Sequence, residues 1–106
     1  MKITIASSGK DKESEISSQA ARALFFLVFN GEGELIETFE NPYDIEMRGT
    51  GPAIVDLLAE KGTDVFIAEN IGERMARALE TKNIRYQKVS SGTVAEALQV
   101  GLRLKI

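Results

Sequence analysis

The spacing of apolar residues changes period several times along the chain, and each change marks an element. Lys2-Ile3-Thr4-Ile5-Ala6 alternates polar and apolar and is β-branched, which predicts a first strand. Phe25–Phe29 and Val65–Ala68 are unbroken apolar runs bounded by turn or stop signals, the pattern of strands covered on both faces. Leu35–Glu40, flanked and punctuated by Glu34, Glu37 and Glu40, suits an edge strand. Ile84–Val89 alternates and is more polar, which places it near the other edge. Helical spacing appears three times: in Ile54, Leu57, Leu58 and Lys61, in Met75, Ala76 and Leu79, and in Val94, Ala97, Leu98, Gly101 and Leu102.

Local chemistry sets the boundaries. Asn30-Gly31-Glu32-Gly33 is a hairpin signal, because three of its residues tolerate positive φ. Pro52 suits a first helical position, with Thr50 or Gly51 as the cap, and Gly62 and Asn83 are left-handed stops. Thr93 with Glu96 forms a capping-box pattern. Gln19 to Leu24 allows one short helical turn. Lys10 to Ser18 reads as an exposed polar loop, and Asn41 to Gly51 as a loop long enough to carry function. The order β-β-β-α-β-α-β-α then implies a meander followed by right-handed crossovers. The expected fold is α/β, with a five-stranded mixed sheet in order 3-2-1-4-5, strand 2 antiparallel to the rest, and three helices. The chain reverses its direction of progress between strands 1 and 4. The loops after strands 1, 3, 4 and 5 should therefore meet at one edge of the sheet, around that switch point.

Composition narrows the chemistry. A chain of 106 residues is most simply one domain, residues 1–106. The hydrophobic share of 43% and charged share of 27% are those of an ordinary soluble protein. No apolar run approaches the ~20 residues of a membrane span. The first residues lack the apolar core of a signal peptide, so a cytoplasmic location and no membrane partner are expected. Cysteine and histidine are both absent. That removes disulfides, thiolate zinc sites, cysteine-ligated iron–sulfur clusters and His-based acid–base catalysis. Residues 1–71 hold six Lys and Arg against thirteen Asp and Glu (net −7), and residues 72–106 hold seven against three (net +4). Arg74, Arg77, Lys82, Arg85 and Lys88 are scattered over helix and strand positions without interleaved aromatics. They read as solvated faces, and no nucleic-acid partner is expected.

Several motifs, in order and at consistent spacing, resemble the dinitrogenase iron–molybdenum cofactor biosynthesis family. Residues 16–27, reading I-S-S-Q-A-A-R-A-L-F-F-L, follow the family segment V-S-P-H-F-G-R-A-x-x-F-L. Glu40-Asn41-Pro42 matches E-N-P, and Arg48-Gly49-Thr50-Gly51 stands where H-G-A-G is common. Ile67 to Gly72 matches I-A-G-N-I-G, and Ser91 to Leu98 matches S-G-T-V-E-E-A-L. The resemblance runs nearly end to end. It implies a single three-layer ribonuclease H-like domain and a non-catalytic cluster-carrier or binding role, with an iron–molybdenum or iron–sulfur cluster as cofactor and a protein partner in cofactor assembly. The departures fall on the chemistry. The family's two usual histidines, the implied cluster ligands, are replaced by Gln19 and Arg48, and the first glycine of G-N-I-G by Glu69. Gln is a poor ligand for iron and Arg repels a cation, so an altered ligand is expected.

The candidate binding residues gather at the switch-point edge: Ser7, Ser8, Gln19, Arg48, Gly49, Gly51, Asn70 and Gly72. The Asn70–Gly72 loop offers backbone N–H groups to an anion, or is simply a strand-to-helix turn whose Asn bonds its own backbone. Arg48, next to glycines that permit close approach, suits a carboxylate, phosphate or other oxyanion. Alternatively it pairs with Asp44 or Glu46 in solvent, or with Glu69. Ser7-Ser8-Gly9-Lys10 lacks the ends of a phosphate loop and reads as a polar turn. Ser90–Thr93 is first a helix cap. Met75 lies on a core stripe, and Met47 is a thioether in the long loop. No catalytic residue and no metal ligand set is assigned. A nuclease is disfavoured, since strand 1 carries no carboxylate for a two-metal site. The alternative to a carrier is an anion- or protein-binding module unrelated to clusters.

Overall fold

The computed structural model describes residues 1–44 and 46–104. Five strands, β1 (Ile3–Ser7), β2 (Phe25–Phe29), β3 (Leu35–Glu40), β4 (Val65–Ala68) and β5 (Arg85–Lys88), form one sheet in the order β3-β2-β1-β4-β5. β2 runs antiparallel to β1 and β3, whereas β1, β4 and β5 are mutually parallel. This is the topology expected from the sequence. A 3-10 turn at Ala20–Arg22 precedes β2, and three helices, α1 (Gly51–Glu60), α2 (Glu73–Thr81) and α3 (Val94–Arg103), complete the domain.

The two faces of the sheet are covered separately, giving three layers. On one face Ala6, Phe26, Phe66 and Ala68 pack under Ile54, Val55 and Leu58 of α1 and Met75 and Leu79 of α2. On the other, Ile3, Ile5, Leu27, Phe29, Val65 and Ile67 pack under Val94, Ala97 and Leu98 of α3. The unbroken apolar runs follow from this double coverage: every residue of β4 is buried, and four of the five in β2. β3 and β5 are the edges, and their mixed exposure matches their polar sequences. Gly62 at φ +79° and Asn83 at φ 59° end α1 and α2 in the left-handed region, as expected. The Thr93–Glu96 capping box is fully formed.

The structure differs from expectation in a few places. Val55, absent from the sequence stripe, is fully buried, because α1 packs against both the sheet and its neighbour α2 and needs a wider apolar arc than one stripe. Ala76 and Leu102 are only half-buried. α1 begins one residue early, at Gly51, with Thr50 at the cap and Pro52 still in the first turn. The segment Lys10–Ser18 does more than form an exposed loop. Ile16 is 6% exposed, bridges to Ser7 and donates its N–H to the Gly92 carbonyl at 2.9 Å. The carbonyls of Ser14 and Lys12 accept from the Val94 and Ala95 N–H groups, each at 2.9 Å. The Lys10 and Lys12 ammonium groups lie 5.3 and 5.9 Å from the ring centres of Phe25 and Phe29. A single helix is too narrow to cover the whole sheet face, and this loop roofs the β2 half that α3 leaves open.

Candidate functional site

Because β1, β3, β4 and β5 point the same way, their following loops emerge at one edge. There they frame a groove of about 620 Å³, lined by four segments: Gln19–Arg22, Met47–Pro52, Asn70–Met75 and Lys88. Its scale is that of ordinary small-molecule sites. The sequence rule that ligands bind where the strand order reverses therefore points at a real cavity.

Two glycines shape the groove. Gly49 sits at φ +75°, a conformation that costs a residue with a side chain. A Cβ at Gly49 would stand 3.9 Å from the Arg74 guanidinium, so the 48–50 turn and Arg74 share one wall. Gly51 serves close approach instead. A Cβ there would lie 2.9 Å from the Met75 Cβ and 3.4 Å from its Cα, so the first turns of α1 and α2 touch nearly backbone to backbone. Neither helix has a side-chain cap at this end, in contrast to α3. The positive ends of two helix dipoles thus lie at the groove.

The third wall is held by two asparagines. Asn70 donates from Nδ2 to the Ser18 carbonyl at 2.7 Å, and its own carbonyl accepts from the Ala20 N–H at 2.9 Å. Asn41 donates to the carbonyls of Ala21 and Ala23 at 3.0 and 2.9 Å. The 18–23 segment is thereby stitched to the ends of β3 and β4, which fixes Gln19 and Arg22 beside the groove. Asn70 does not bond its own backbone, as one reading of the sequence had it; its side chain is spent on this clamp.

The electrostatics are lopsided. Arg22, Arg48, Arg74 and Lys88 all line the groove, against one acidic residue, Glu73. Glu73 is engaged elsewhere, accepting from Arg77 at 2.7 Å across one helical turn. The other described cations are mostly occupied. Lys61 pairs with Glu37, Lys82 with Asp56 at 3.7 Å, Lys2 donates to the Lys61 carbonyl at 2.9 Å and Arg85 to the Leu104 carbonyl at 2.6 Å. Lys10 and Lys12 sit over aromatic rings. Among the described residues, Arg48 has no ion pair with Asp44, Glu46 or Glu69, and Arg22, Arg74 and Lys88 have none either. Lys2, Lys10, Lys12, Arg85 and Arg103 likewise have no ion pair among the described residues, but all except Arg103 are engaged by a carbonyl or a ring.

Of the residues expected from sequence, Gln19, Arg48, Gly49, Gly51, Asn70 and Gly72 are brought together. Ser7 and Ser8 are not. Ser7 is fully buried with its hydroxyl donating to the Gly9 carbonyl at 2.7 Å, and Ser8 donates to the Glu15 carbonyl at 2.8 Å. The 8–16 loop claims both hydroxyls, and neither lines the groove. Sequence reading missed Arg22, Arg74 and Lys88. Arg74 and Lys88 were set among solvated faces because only the folded chain places a first-turn helix residue and a strand end beside Arg48. A signal for Arg74 did exist: it lies two residues into the helix opened by the Asn70–Gly72 turn.

Comparison with known proteins places the chain. The family model described as dinitrogenase iron-molybdenum cofactor matches residues 1–101, and the chain belongs to this family of small cofactor-binding and assembly proteins. A NifB-like protein from Thermotoga, of the DUF35 family, is similar in structure with a TM-score of 0.80 and 33% identity, over 97% of this chain and 88% of that one. The apo form of the orange protein from Desulfovibrio gigas shares the fold, with a TM-score of 0.86 and 22% identity over 96% of this chain and 87% of that one. So does the protein PH0822, with a TM-score of 0.81 and 15% identity over 99% and 93% of the two chains. No curated protein sequence matches this one. No described helix is long and apolar enough to cross a membrane.

The family's cofactor can be tested against the donors present. The sequence has no thiolate or imidazole, and no group of three or more carboxylates among the described residues could hold a metal ion. Met75 is buried in the core, at 2% exposure, which leaves Met47 as the one accessible soft donor on the groove. This set does not fit direct ligation of an iron-containing cluster. It fits a negatively charged group held from outside, by guanidinium, ammonium and backbone N–H donors.

Proposed function

We propose that this protein is a non-catalytic binding and carrier protein of cytoplasmic cofactor assembly, which holds an anionic cofactor or oxyanion precursor in the switch-point groove by charge and hydrogen bonds. Gln19, Arg48, the backbone at Gly49 and Gly51, and the Asn70–Gly72 turn form the contact surface, with Arg22, Arg74 and Lys88 added to it. Ser7 and Ser8 stand outside it. The observation that carries the proposal is the convergence on one cavity of four cations without ion-pair partners among the described residues, in a chain whose net charge is −3. Like charges held together cost stability unless something answers them, and proteins accept such a conflict mainly at working sites. The family supplies the context. Replacing the implied histidine ligands by Gln19 and Arg48 turns a metal-ligating position into an anion-holding one, and delivery to an assembly partner is the role this suits.

Anion-dependent thermal unfolding tests the proposal. Molybdate, sulfate or phosphate should raise the melting temperature of the parent protein, and Arg48→Ala with Arg74→Ala should abolish the rise while leaving stability without ligand equal or slightly higher. Anaerobic incubation with iron and sulfide, followed by desalting, should leave no stoichiometric cluster on the isolated protein. A cluster retained through desalting, or an anion effect equal in parent and double variant, would overturn the proposal.

A further inference from the structure

The outer side of β3 is a strand edge that nothing in the described chain pairs with. Asn41 donates its N–H to the Leu24 carbonyl at 3.0 Å, and hydrogen-bonded and non-bonded pairs alternate along an antiparallel ladder. The N–H and C=O groups of Thr38 and Glu40 therefore point away from β2, and no described strand lies beyond β3 to take them. The register shift between Val28 and Phe29 leaves Ile36 without a partner on β2, so Ile36 is the extra residue of a bulge. On the α1 face the strand is closed: Phe39 stacks on Phe26 at 5.3 Å, and the Lys61 ammonium lies 4.9 Å over the Phe39 ring.

Apolar surface gathers along the same hairpin. Six large apolar side chains are exposed among the described residues, and all but Met47 are found here. Leu35 and Ile36 open β3 at 41% and 49% exposure. Leu24 stands opposite Asn41 at the far end, and Tyr43 follows, its N–H on the Asn41 side chain at 2.9 Å. Met1 lies beside the turn, its Cβ 4.0 Å from where a Cβ on Gly31 would stand. Single exposed apolar residues need no explanation, but a row of them along an open strand marks a contact surface.

Charge decides what kind of partner fits. From Ala23 to Met47 the chain has six Asp or Glu and no Lys or Arg. Glu37 is answered by Lys61, but Glu32, Glu34 and Glu40 are exposed and have no ion pair among the described residues. A second copy pairing on this edge would set these carboxylates against their own kind, and like charges across a ladder destabilise it. A basic strand meets opposite charge instead. We propose that the β3 edge is a docking site for an extended, basic segment of another protein, which adds to the sheet as a sixth strand. Its backbone bonds to Thr38 and Glu40, its Lys or Arg side chains lie near Glu34 and Glu40, and an apolar residue rests on Leu35 and Ile36. Main-chain bonds supply the affinity in such an addition and alternate side chains the specificity. The same carboxylates keep two copies of this chain from pairing edge to edge. The segment lies along β3 and the groove past the strand ends, so the docking is independent of what the groove holds.

Amide hydrogen exchange with a short peptide of alternating lysine and valine tests the proposal. At about ten times its Kd the peptide should slow exchange of the Thr38 and Glu40 amides about tenfold by mass action. The same peptide with glutamate for lysine should not bind, and neither should the lysine–valine peptide methylated on its backbone nitrogens, which keeps its charges but cannot join a ladder. Thr38→Pro removes an N–H that β2 does not use, so the fold should stand, anion-dependent melting should match the parent and peptide binding should be lost. Should Thr38→Pro unfold, the methylated peptide makes the same test on the intact protein. Glu40→Lys should weaken binding about threefold or more, and added salt should weaken it too. The parent should sediment as a monomer. A dimer that Thr38→Pro dissolves would make a second copy the occupant and overturn the proposal. So would a lysine–valine peptide that fails to bind, binds equally well when methylated, or protects amides elsewhere than on β3.

Discussion

Gly51→Ala is the sharpest test of how the groove is built. The added Cβ would stand 2.9 Å from the Met75 Cβ, 3.4 Å from its Cα and 3.4 Å from its Cγ. Ordinary carbon contacts lie near 3.5–4.0 Å, so the first turns of α1 and α2 would have to separate by roughly 0.5–1 Å. No rotamer change of Met75 relieves this, because the offending atoms are its backbone carbon and the first carbon of its side chain. Met75 cannot retreat either, being packed in the core at 2% exposure. Overpacking of this kind costs typically 1–3 kcal/mol. The gain in helix propensity, up to about 1 kcal/mol in a helix interior, offsets part of it, less so at the first turn. A net loss of about 1–2 kcal/mol should appear as a lower urea midpoint at unchanged slope, and as a fall in melting temperature of roughly 4–8 °C per kcal/mol for a domain of this size. Arg48, in the loop before α1, and Arg74, in the first turn of α2, lie beside this contact, so anion affinity should fall along with stability. Adding Met75→Leu should not restore either, since leucine keeps the same Cα and Cβ. A Gly51→Ala protein as stable as the parent, with equal anion affinity, would refute the backbone-to-backbone packing as the determinant of the groove.

On the opposite face, a Cβ at Gly101 would lie 2.8 Å from both the Ile3 Cγ2 and the Ile67 Cδ1. Gly101→Ala should therefore destabilise by about 1 kcal/mol despite alanine's helix propensity, and Ile67→Val, which removes the Cδ1, should recover part of that loss in a double-mutant cycle. Perfect additivity in urea unfolding would count against the contact. The Tyr86 hydroxyl donates to Glu80 at 2.6 Å, and this bond to the carboxylate raises the Tyr86 pKa above its ordinary 10.0, with burial and the Glu80 charge adding to it. The folded-state pKa is raised, so the contribution to stability is present below pH 10 and lost as pH climbs through the folded value. Ultraviolet titration should show one tyrosine ionising late, and Glu80→Gln should bring it back down; a curve unchanged by the substitution would refute the assignment.

Much of the scaffold was legible in the sequence because it depends on local or periodic signals. The unbroken runs at Phe25–Phe29 and Val65–Ala68 demanded two covered faces, and polar punctuation marked β3 and β5 as edges. Backbone demands at Gly62, Asn83 and Thr93 ended or started helices where these residue types allow it. Handedness and short connections then left the order 3-2-1-4-5, and with it the edge at which a site would form.

What the sequence alone determined, then, was the fold, the edge and the absence of cysteine and histidine ligands. The tertiary structure decided which side chains share that edge. Arg22, Arg74 and Lys88 occupy unremarkable local contexts, and no periodicity distinguishes a first-turn arginine facing a cavity from one facing water. Ser7 and Ser8 stood at the expected strand end, yet the 8–16 loop folds back and takes their hydroxyls. Asn41 and Asn70 looked like turn residues, but they act as clamps on a segment some 20 to 50 residues away in sequence. Charge pairing is likewise a long-range property. That Lys61 finds Glu37 and Lys82 finds Asp56, while the four cations of the groove find no partner among the described residues, follows from how the helices lie on the sheet and from nothing shorter in range.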